Sequence, residues 1–316
     1  MRLFRSTPGI VATCVAVLLA FVWSRDAGAQ QRRRGVYSAR VDTTFAFDKN
    51  GSVTVTSNSG DIVITGWSRD QVHVRALSED DNNIRLDVSS SRMNLEIGSG
   101  RRSGETRFEV SVPIGVRVTA STRSGDISVR GTHGQVEVRA QNGDIDVDDV
   151  TSRLDINSFS GDFVGSNVSA DVQVGTISGS VRLTDVRGSI EIGTVSGDID
   201  LRGVTAKLVR GKTTSGDVTF DGLIDPAGRY ELVTHSGDVR LHIPKDASAQ
   251  VTVATWNGGV NSQFPITLKP GEHRIGAATT KRFSFEIGGG AARITAETFS
   301  GDITITSNGR GANARP

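Results

Sequence analysis

Apolar and polar positions alternate in short runs that return at a fixed interval through the middle of the chain. The triplet Ser-Gly-Asp, or a close relative, ends at Asp126, Asp144, Asp162, Ser180 and Asp198, an 18-residue step each time. The residue that follows is Ile127, Ile145, Phe163, Val181 or Ile199, and two further on stand Val129, Val147, Gly165, Leu183 and Leu201. A second apolar pair comes ten and twelve residues after the triplet: Val136 and Val138, Leu154 and Ile156, Val172 and Val174, Ile190 and Ile192. Between the pairs lie a turn-former (Gly131, Asp149, Asn167, Asp185, Gly203) and a small residue (Gly134, Ser152, Ala170, Gly188, Ala206).

Period-two alternation predicts two short strands per unit, each with one buried face, joined at corners that glycine permits. One unit cannot bury its own face, whereas stacked units can, each strand pairing with its copy one coil away at about 4.8 Å. The fold class this predicts is all-β: a single-stranded parallel β-solenoid of 18 residues per coil. The usual crossover rule makes it right-handed and β-helix-like. A left-handed hexapeptide helix would need apolar residues six apart all round. The step of six from Val150 to Ile156 continues to Asp162, which breaks that pattern. In this frame Ile190 points inward and its neighbour Glu191 outward.

An in-register stack sets residue i beside residue i+18, so Arg130 is expected beside Asp148, Arg153 beside Asp171 and Arg182 beside Asp200. The phase extends outward with insertions. Ser59-Gly60-Asp61 opens an early coil, Asp217 and Asp238 open later ones, and Phe285, Ile287, Ala292, Ile294, Ala296, Thr298 and Ser300-Gly301-Asp302 restore the pattern near the end. Residues 77–107 alternate on their own (Ile84, Leu86, Val88, then Met93, Leu95, Ile97) and are expected to form an inserted hairpin. Val112-Pro113 before Val116 and Val118 resembles Ile243-Pro244 before Val251 and Val253, which points to two related blocks.

The ends read differently. Arg2 and Arg5, the apolar stretch Ile10 to Trp23 and the small residues Ala27-Gly28-Ala29 make residues 1–29 a signal peptide cleaved after Ala29. The apolar stretch is short of the ~20 residues that span a bilayer. Residues 30–40 are expected as a disordered linker, 41–306 as the solenoid and 307–316 as a disordered tail. The 37 glycines in 316 residues agree with frequent turns, and the formal net charge of +1 gives no basic footprint for nucleic acid. Cleavage would remove three Arg and one Asp, leaving a net of −1, together with Cys14, the sole cysteine. Thiol, disulfide and Cys-metal chemistry are then excluded from the mature chain.

The recurring Ser-Gly-Asp-(Ile/Val), the segment Gly60-Asp61-Ile62-Val63-Ile64-Thr65-Gly66-Trp67 and the lead-in Val112-Pro113-Ile114-Gly115-Val116 resemble the bacterial putative-adhesin family, a domain of unknown function built from β-strand repeats. The resemblance covers roughly Val41 to Thr306 and implies architecture more than activity. Two departures are Ser180 in place of Asp, and Asn257-Gly258-Gly259 where the pattern would place Ser-Gly-Asp.

A column of stacked aspartates should repel itself, so something must offset the charge. Backbone N–H groups at the glycine corners would do so, in the manner of Asx turns. The alternative is a calcium ladder on Asp126, Asp144 and Asp162, since carboxylates suit a hard cation, although the nonapeptide calcium-solenoid pattern is absent. The corner glycines Gly125, Gly143, Gly161, Gly179 and Gly197 are structural candidates, expected at positive φ or at close coil contacts. Asp146, Asp148 and Asp149 are the candidates for a polysaccharide-active enzyme on the same fold. The five His show no metal-ligand spacing, and Gly288-Gly289-Gly290 lacks the Lys-Ser/Thr of a phosphate loop. Trp67 and Trp256 are expected to plug or cap the core. The sequence reading is an exported, non-catalytic, adhesin-like interaction or scaffold surface in the periplasm, on the outer surface or secreted. It needs no cofactor, and its partner is an envelope protein or glycan. A calcium-stabilised module and the enzyme are the alternatives.

Overall fold

The computed structural model describes residues 38–78, 84–97, 106–266 and 281–308, which carry 24 strands joined by turns and no helix. The signal peptide expected over 1–29 lies outside the described residues, as do 30–37 of the expected linker and 309–316 of the expected tail. The first strand, Ser38–Ala46, begins inside the span expected as linker, and Ser307 closes the strand Ile303–Ser307.

Two parallel ladders build the solenoid. In one, Ile127–Thr132, Ile145–Val150, Phe163–Val168 and Val181–Val186 align so that Ile127, Ile145, Phe163 and Val181 form one column. In the other, Val118, Val136, Leu154, Val172 and Ile190 form the matching column. The long strands Ile199–Ser215 and Val218–Ser236 turn a corner and serve both ladders, with register steps of 19 at Ile199/Val218 and 21 at Val209/Tyr230. Alternate side chains interlock between the ladders, so Ile190 is fully buried and Glu191 exposed. Phe163 precedes Gly165 for a packing reason: a Cβ at Gly165 would meet the Leu183 Cδ2 at 2.6 Å and the Phe163 ring at 3.2 Å. The larger ring and the neighbouring leucine occupy the volume that valine fills elsewhere.

Each coil turns at two corners with different backbone requirements. At the first, Gly131, Asp149, Asn167, Asp185 and Gly203 all lie in the left-handed region, with φ between 53° and 65°. Gly, Asn and Asp are the residues that enter it at least cost, which explains the column of turn-formers. The second corner is the Ser-Gly-Asp triplet described below.

Spatial order departs from chain order at both ends. Ser52–Ser57 lies between Arg92–Ile97 and Arg117–Ser124, so the first coil of the chain is the second in the stack. Ala292–Ser300 likewise lies between Val218–Ser236 and Ala249–Asn257, and Ile303–Ser307 between Val239–Ile243 and Val260–Ser262. The chain therefore skips one coil after Pro113 and one after Pro244. Both skips use the same turn: the Val116 N–H donates to the Pro113 carbonyl and the Ala247 N–H to the Pro244 carbonyl, each at 3.1 Å. The Val-Pro and Ile-Pro resemblance in the sequence marks these two skips.

Within 77–107, Ile84–Val88 and Arg92–Ile97 form the expected antiparallel hairpin, and its second arm joins the solenoid beside Ser52–Ser57. Ser38–Ala46 and Gln71–Ser78 continue one end in antiparallel fashion. At the opposite end Phe285 and Ile287, expected in the parallel phase, lie instead in an antiparallel strand, Lys281–Ile287 on Ala249–Asn257.

Candidate functional site

The Ser-Gly-Asp corners stack into one edge of the solenoid. Gly125, Gly143, Gly161, Gly179 and Gly197 have φ from 119° to 146°. A Cβ on any of them would fall 2.0 to 2.3 Å from the glycine carbonyl oxygen one coil back. The glycines are thus required twice, by backbone conformation and by contact between coils.

The aspartates bond along the stack. Asp61 Oδ1 accepts the N–H of Asp126 at 3.0 Å, Asp126 that of Asp144 at 2.9 Å, Asp144 that of Asp162 at 2.9 Å, and Asp162 that of Ser180 at 2.8 Å. Asp198, Asp217 and Asp238 repeat the bond to Asp217, Asp238 and Asp302. The like charges are offset by N–H dipoles, one per carboxylate. Asp302 Oδ1 accepts from Gly259, where the column ends. Gly259 stands in the terminal coil of this ladder, where a carboxylate would have no further N–H to accept, and this accounts for Asn257-Gly258-Gly259. Ser180 interrupts the column because it offers no carboxylate to Asp198. Among the described residues no three His, Cys, Asp or Glu side chains gather closely enough to hold a metal ion.

Beside these aspartates, Arg107, Arg130, Asp126, Asp144, Asp146 and Asp162 line an open groove of about 490 Å³. Of the carboxylates expected as enzyme candidates, Asp146 lines it, and Asp148 and Asp149 lie outside it. Asp146 receives the Arg130 guanidinium at 3.1 Å. Asp148 accepts the Ser166 hydroxyl at 2.6 Å and the Asn167 amide at 2.9 Å. These two bonds hold its carboxyl below the usual range, with Arg130 adding to the effect and burial opposing it. Asp149 occupies the left-handed corner. The register sets Arg130 beside Asp148 as expected, but its guanidinium bonds Asp146, and Arg153 reaches Gln173 at 2.9 Å while Asp171 accepts the Ser189 N–H. Arg182 does meet Asp200, at 3.5 Å.

Outside each corner, one residue before the serine or asparagine, the side chain points to solvent. Down the stack this position is Phe159, Ile177, Val195, Thr214, His235, Phe299 and Trp256, as the registers of the flanking serines fix. Phe159 is 57% exposed, Val195 49%, Ile177 44%, Phe299 42% and Trp256 38%. The ridge runs about 29 Å over six coil steps. Its far end is an aromatic stack, His235 on Phe299 with centroids 4.8 Å apart and Phe299 on Trp256 at 5.7 Å. Trp256 is therefore part of an exposed ridge and not a core plug. Trp67 is also at the surface, with its indole N–H on the Gln71 carbonyl and the Arg69 guanidinium 5.0 Å from its ring. Its signal in the sequence is the apolar residue one position before the serine, at Phe159, Ile177, Val195 and Phe299.

At the other corner, the insertion Asp225-Pro226-Ala227-Gly228 and the skip after Pro244 border a cavity of about 550 Å³. Tyr230 is buried beneath it, donating to the Ala206 carbonyl at 2.7 Å and accepting the Asp225 N–H at 2.8 Å. Burial pushes its phenol up to about 12.

No curated protein matches the chain. Among solved structures it is similar to a putative adhesin from Parabacteroides distasonis, with 10% identity and a TM-score of 0.44 over 86% of this chain and 98% of that one. A putative adhesin from Bacteroides fragilis gives 11% identity and a TM-score of 0.38 over 84% and 96%. A putative cell adhesion protein from Clostridium sporogenes gives 12% identity and a TM-score of 0.22 over 86% and 100%. With its repeated corners and both skipped coils inside the matched span of residues 44–306, the chain belongs to the family described as Toastrack DUF4097.

Proposed function

We propose that the protein is an exported, non-catalytic, adhesin-like scaffold or interaction surface at the bacterial cell envelope. The observation that carries this reading is the exposed apolar ridge from Phe159 to Trp256. Exposed apolar side chains in line on a polar surface, here Phe159, Ile177 and Val195 and, beyond Thr214 and His235, Phe299 and Trp256, mark a contact site. Export is supported by the N-terminal sequence pattern. In the groove Asp126, Asp144 and Asp162 each cap an N–H group and Asp146 binds Arg130, while Asp148, outside it, binds Ser166 and Asn167. That dispersal favours a surface over the polysaccharide-active enzyme, which would need an acid and a base converging on one bond.

The chemistry of the ridge favours a protein partner over a glycan. A sugar stacks on a free ring face. Phe299 carries His235 on one face and Trp256 on the other, so the middle ring of the stack offers no free face. The test expresses the full chain in a bacterial host, recovers the exported protein and measures its cosedimentation with envelope membranes. Wild type should sediment, and Trp256→Ser with Phe299→Ser should not. Retention of the whole protein in the cytoplasm, equal sedimentation of the double variant, or cleavage of envelope polysaccharide by the purified protein would overturn the reading.

A further inference from the structure

We propose that the solenoid is two blocks in series, 38–197 and 198–308, joined at a seam weak enough for one block to unfold while the other stays folded. The inference does not depend on what the ridge binds.

The seam is a gap in the column of caps. Asp61, Asp126, Asp144 and Asp162 form one unbroken run that ends on the Ser180 N–H. Asp198, Asp217, Asp238 and Asp302 form a second that ends on the Gly259 N–H. Between the runs stands Ser180, whose hydroxyl reaches one bond less far than a carboxylate oxygen, and the Asp198 N–H has no protein acceptor among the described residues. The next corner of the same coil repeats the break: Asp171 caps the Ser189 N–H at 3.1 Å, and among the described residues Ser189 passes no cap to the coil that follows.

Both strand ladders are also short at this seam. Val181–Thr184 pairs with Ile199–Arg202 and Ile190–Gly193 with Val209–Lys212, four residues each, with single bridges beyond them at Arg187/Thr205 and Ser196/Ser215. Between the coils opened by Asp144 and Asp162 the ladders pair five and six residues. The side-chain bonds that cross the seam among the described residues are the Thr213 hydroxyl on the Gly197 carbonyl at 3.1 Å, Arg182 on Asp200 at 3.5 Å and Arg210 on Glu191 at 3.0 Å. Both arginines are exposed, and such ion pairs contribute little.

Each block is otherwise complete in the same way. The first holds the skip after Pro113 and ends outward in the antiparallel strand Ser38–Ala46; the second holds the skip after Pro244 and ends outward in the antiparallel strand Lys281–Ile287. The stability of a stacked array is a sum over its repeats and over the contacts between neighbours, so a weak contact divides its cooperativity there. The second block is the smaller, and it unfolds first.

Trp67 lies in the first block and Trp256 in the second, and Trp23 precedes the expected cleavage site. In denaturant titrations of the exported protein read by fluorescence, Trp67→Phe leaves Trp256 as the reporter and Trp256→Phe leaves Trp67, so each reported block keeps its own sequence. The Trp256 transition is expected at lower denaturant than the Trp67 transition, which two-state unfolding forbids. Native-state hydrogen exchange places the boundary. The Val181 N–H donates across the seam to the Asp198 carbonyl and should exchange with the second block, whereas the Phe163 N–H donates to the Ser180 carbonyl and should stay protected with the first. Ser180→Asp supplies the missing cap and should bring the two transitions together, and Ser180→Asn should do the same without adding a charge. Coincident transitions in the wild type, exchange of Phe163 together with the second block, or transitions that stay as far apart in both Ser180 variants would each overturn the proposal.

Discussion

The Oδ1 of Asp144 accepts the backbone N–H of Asp162 at 2.9 Å, one coil ahead, and hands the same role to Asp162 for Ser180. Each corner aspartate is thus a cap on its neighbour's backbone, and the column works as a register clamp between coils. A slip of one residue would break the chain of caps and also turn every inward side chain outward.

The cap predicts a graded response at Asp144. Asparagine retains Oδ1 as an acceptor and should be nearly silent, whereas Asp144→Ala leaves the Asp162 N–H without its partner and should cost roughly 0.5–2 kcal/mol, by analogy with helix caps. Chelating divalent ions should leave the melting temperature unchanged, because N–H groups do the offsetting. Denaturant titration of the two variants, with and without chelator, checks this. A calcium-dependent rise in melting temperature that is abolished by changing Asp126, Asp144 and Asp162 together would assign the column to metal binding.

Glycines of the same chain should behave in opposite ways. Gly179 has φ of 145°, and a Cβ there would stand 2.0 Å from the Gly161 carbonyl oxygen. Gly179→Ala should therefore force the two coils apart and destabilise by several kcal/mol, in the class of strained backbone positions. Gly193→Ala enters open space at an ordinary φ and should be neutral or mildly stabilising. Thermal melts of the two variants are sufficient, and equal losses would contradict the corner geometry.

Much of the fold was legible because the physics repeats. Ile127, Ile145, Phe163 and Val181 share a phase since each must bury the same face, and Gly131, Asp149 and Asn167 share one since each must turn left-handed. What did not repeat was hidden. Lys281–Ile287 pairs antiparallel with Ala249–Asn257, and the skips after Pro113 and Pro244 change spatial order without changing local pattern. The ridge was hidden for another reason: Phe159, Ile177, Val195 and Phe299 look like core residues by type, although the alternation that buries Val172, Val174 and Thr176 already sets Ile177 outward. The partners of Arg130 and Arg153 depended on side-chain reach, which backbone register does not fix.

Acid should weaken the fold from an identifiable set of groups. Asp148 is held low by Ser166 and Asn167, and Glu231 by Lys212 and Arg210 against the opposing effect of burial. At Asp217 burial pushes upward, but the Asp238 N–H and Arg240 outweigh it and the net shift is down. A carboxyl whose folded pKa is depressed stabilises the fold fully above its unfolded value, and that stabilisation is lost as pH falls through the folded one. Stability should thus be flat from neutrality to about pH 5, then fall below the ordinary values of 3.8 for Asp and 4.5 for Glu. Asp148→Asn should flatten part of that fall in melts taken across the acid range. An unchanged profile would mean that Asp148 is equally acidic in the unfolded chain.

The buried hydroxyls next to the corners separate into two groups that mutation should distinguish. Thr234 donates to the Gly216 carbonyl at 2.8 Å and Thr298 to the Gly237 carbonyl at 2.9 Å, each one coil back. Thr176 and Thr194 hold the same inward position in earlier coils, are equally enclosed, and have no hydrogen-bond partner. Removing a made bond and stranding its carbonyl partner costs about 1 kcal/mol or more, whereas replacing an unsatisfied buried hydroxyl by a methyl of the same shape removes a desolvation penalty. Thr234→Val should therefore lower stability by about 1–2 kcal/mol, and Thr194→Val should leave it unchanged or raise it. Valine is isosteric with threonine, so packing is held constant and the difference reads the hydrogen bond alone. Equal losses in a denaturant titration would show that Thr194 is satisfied in solution, with water as its partner.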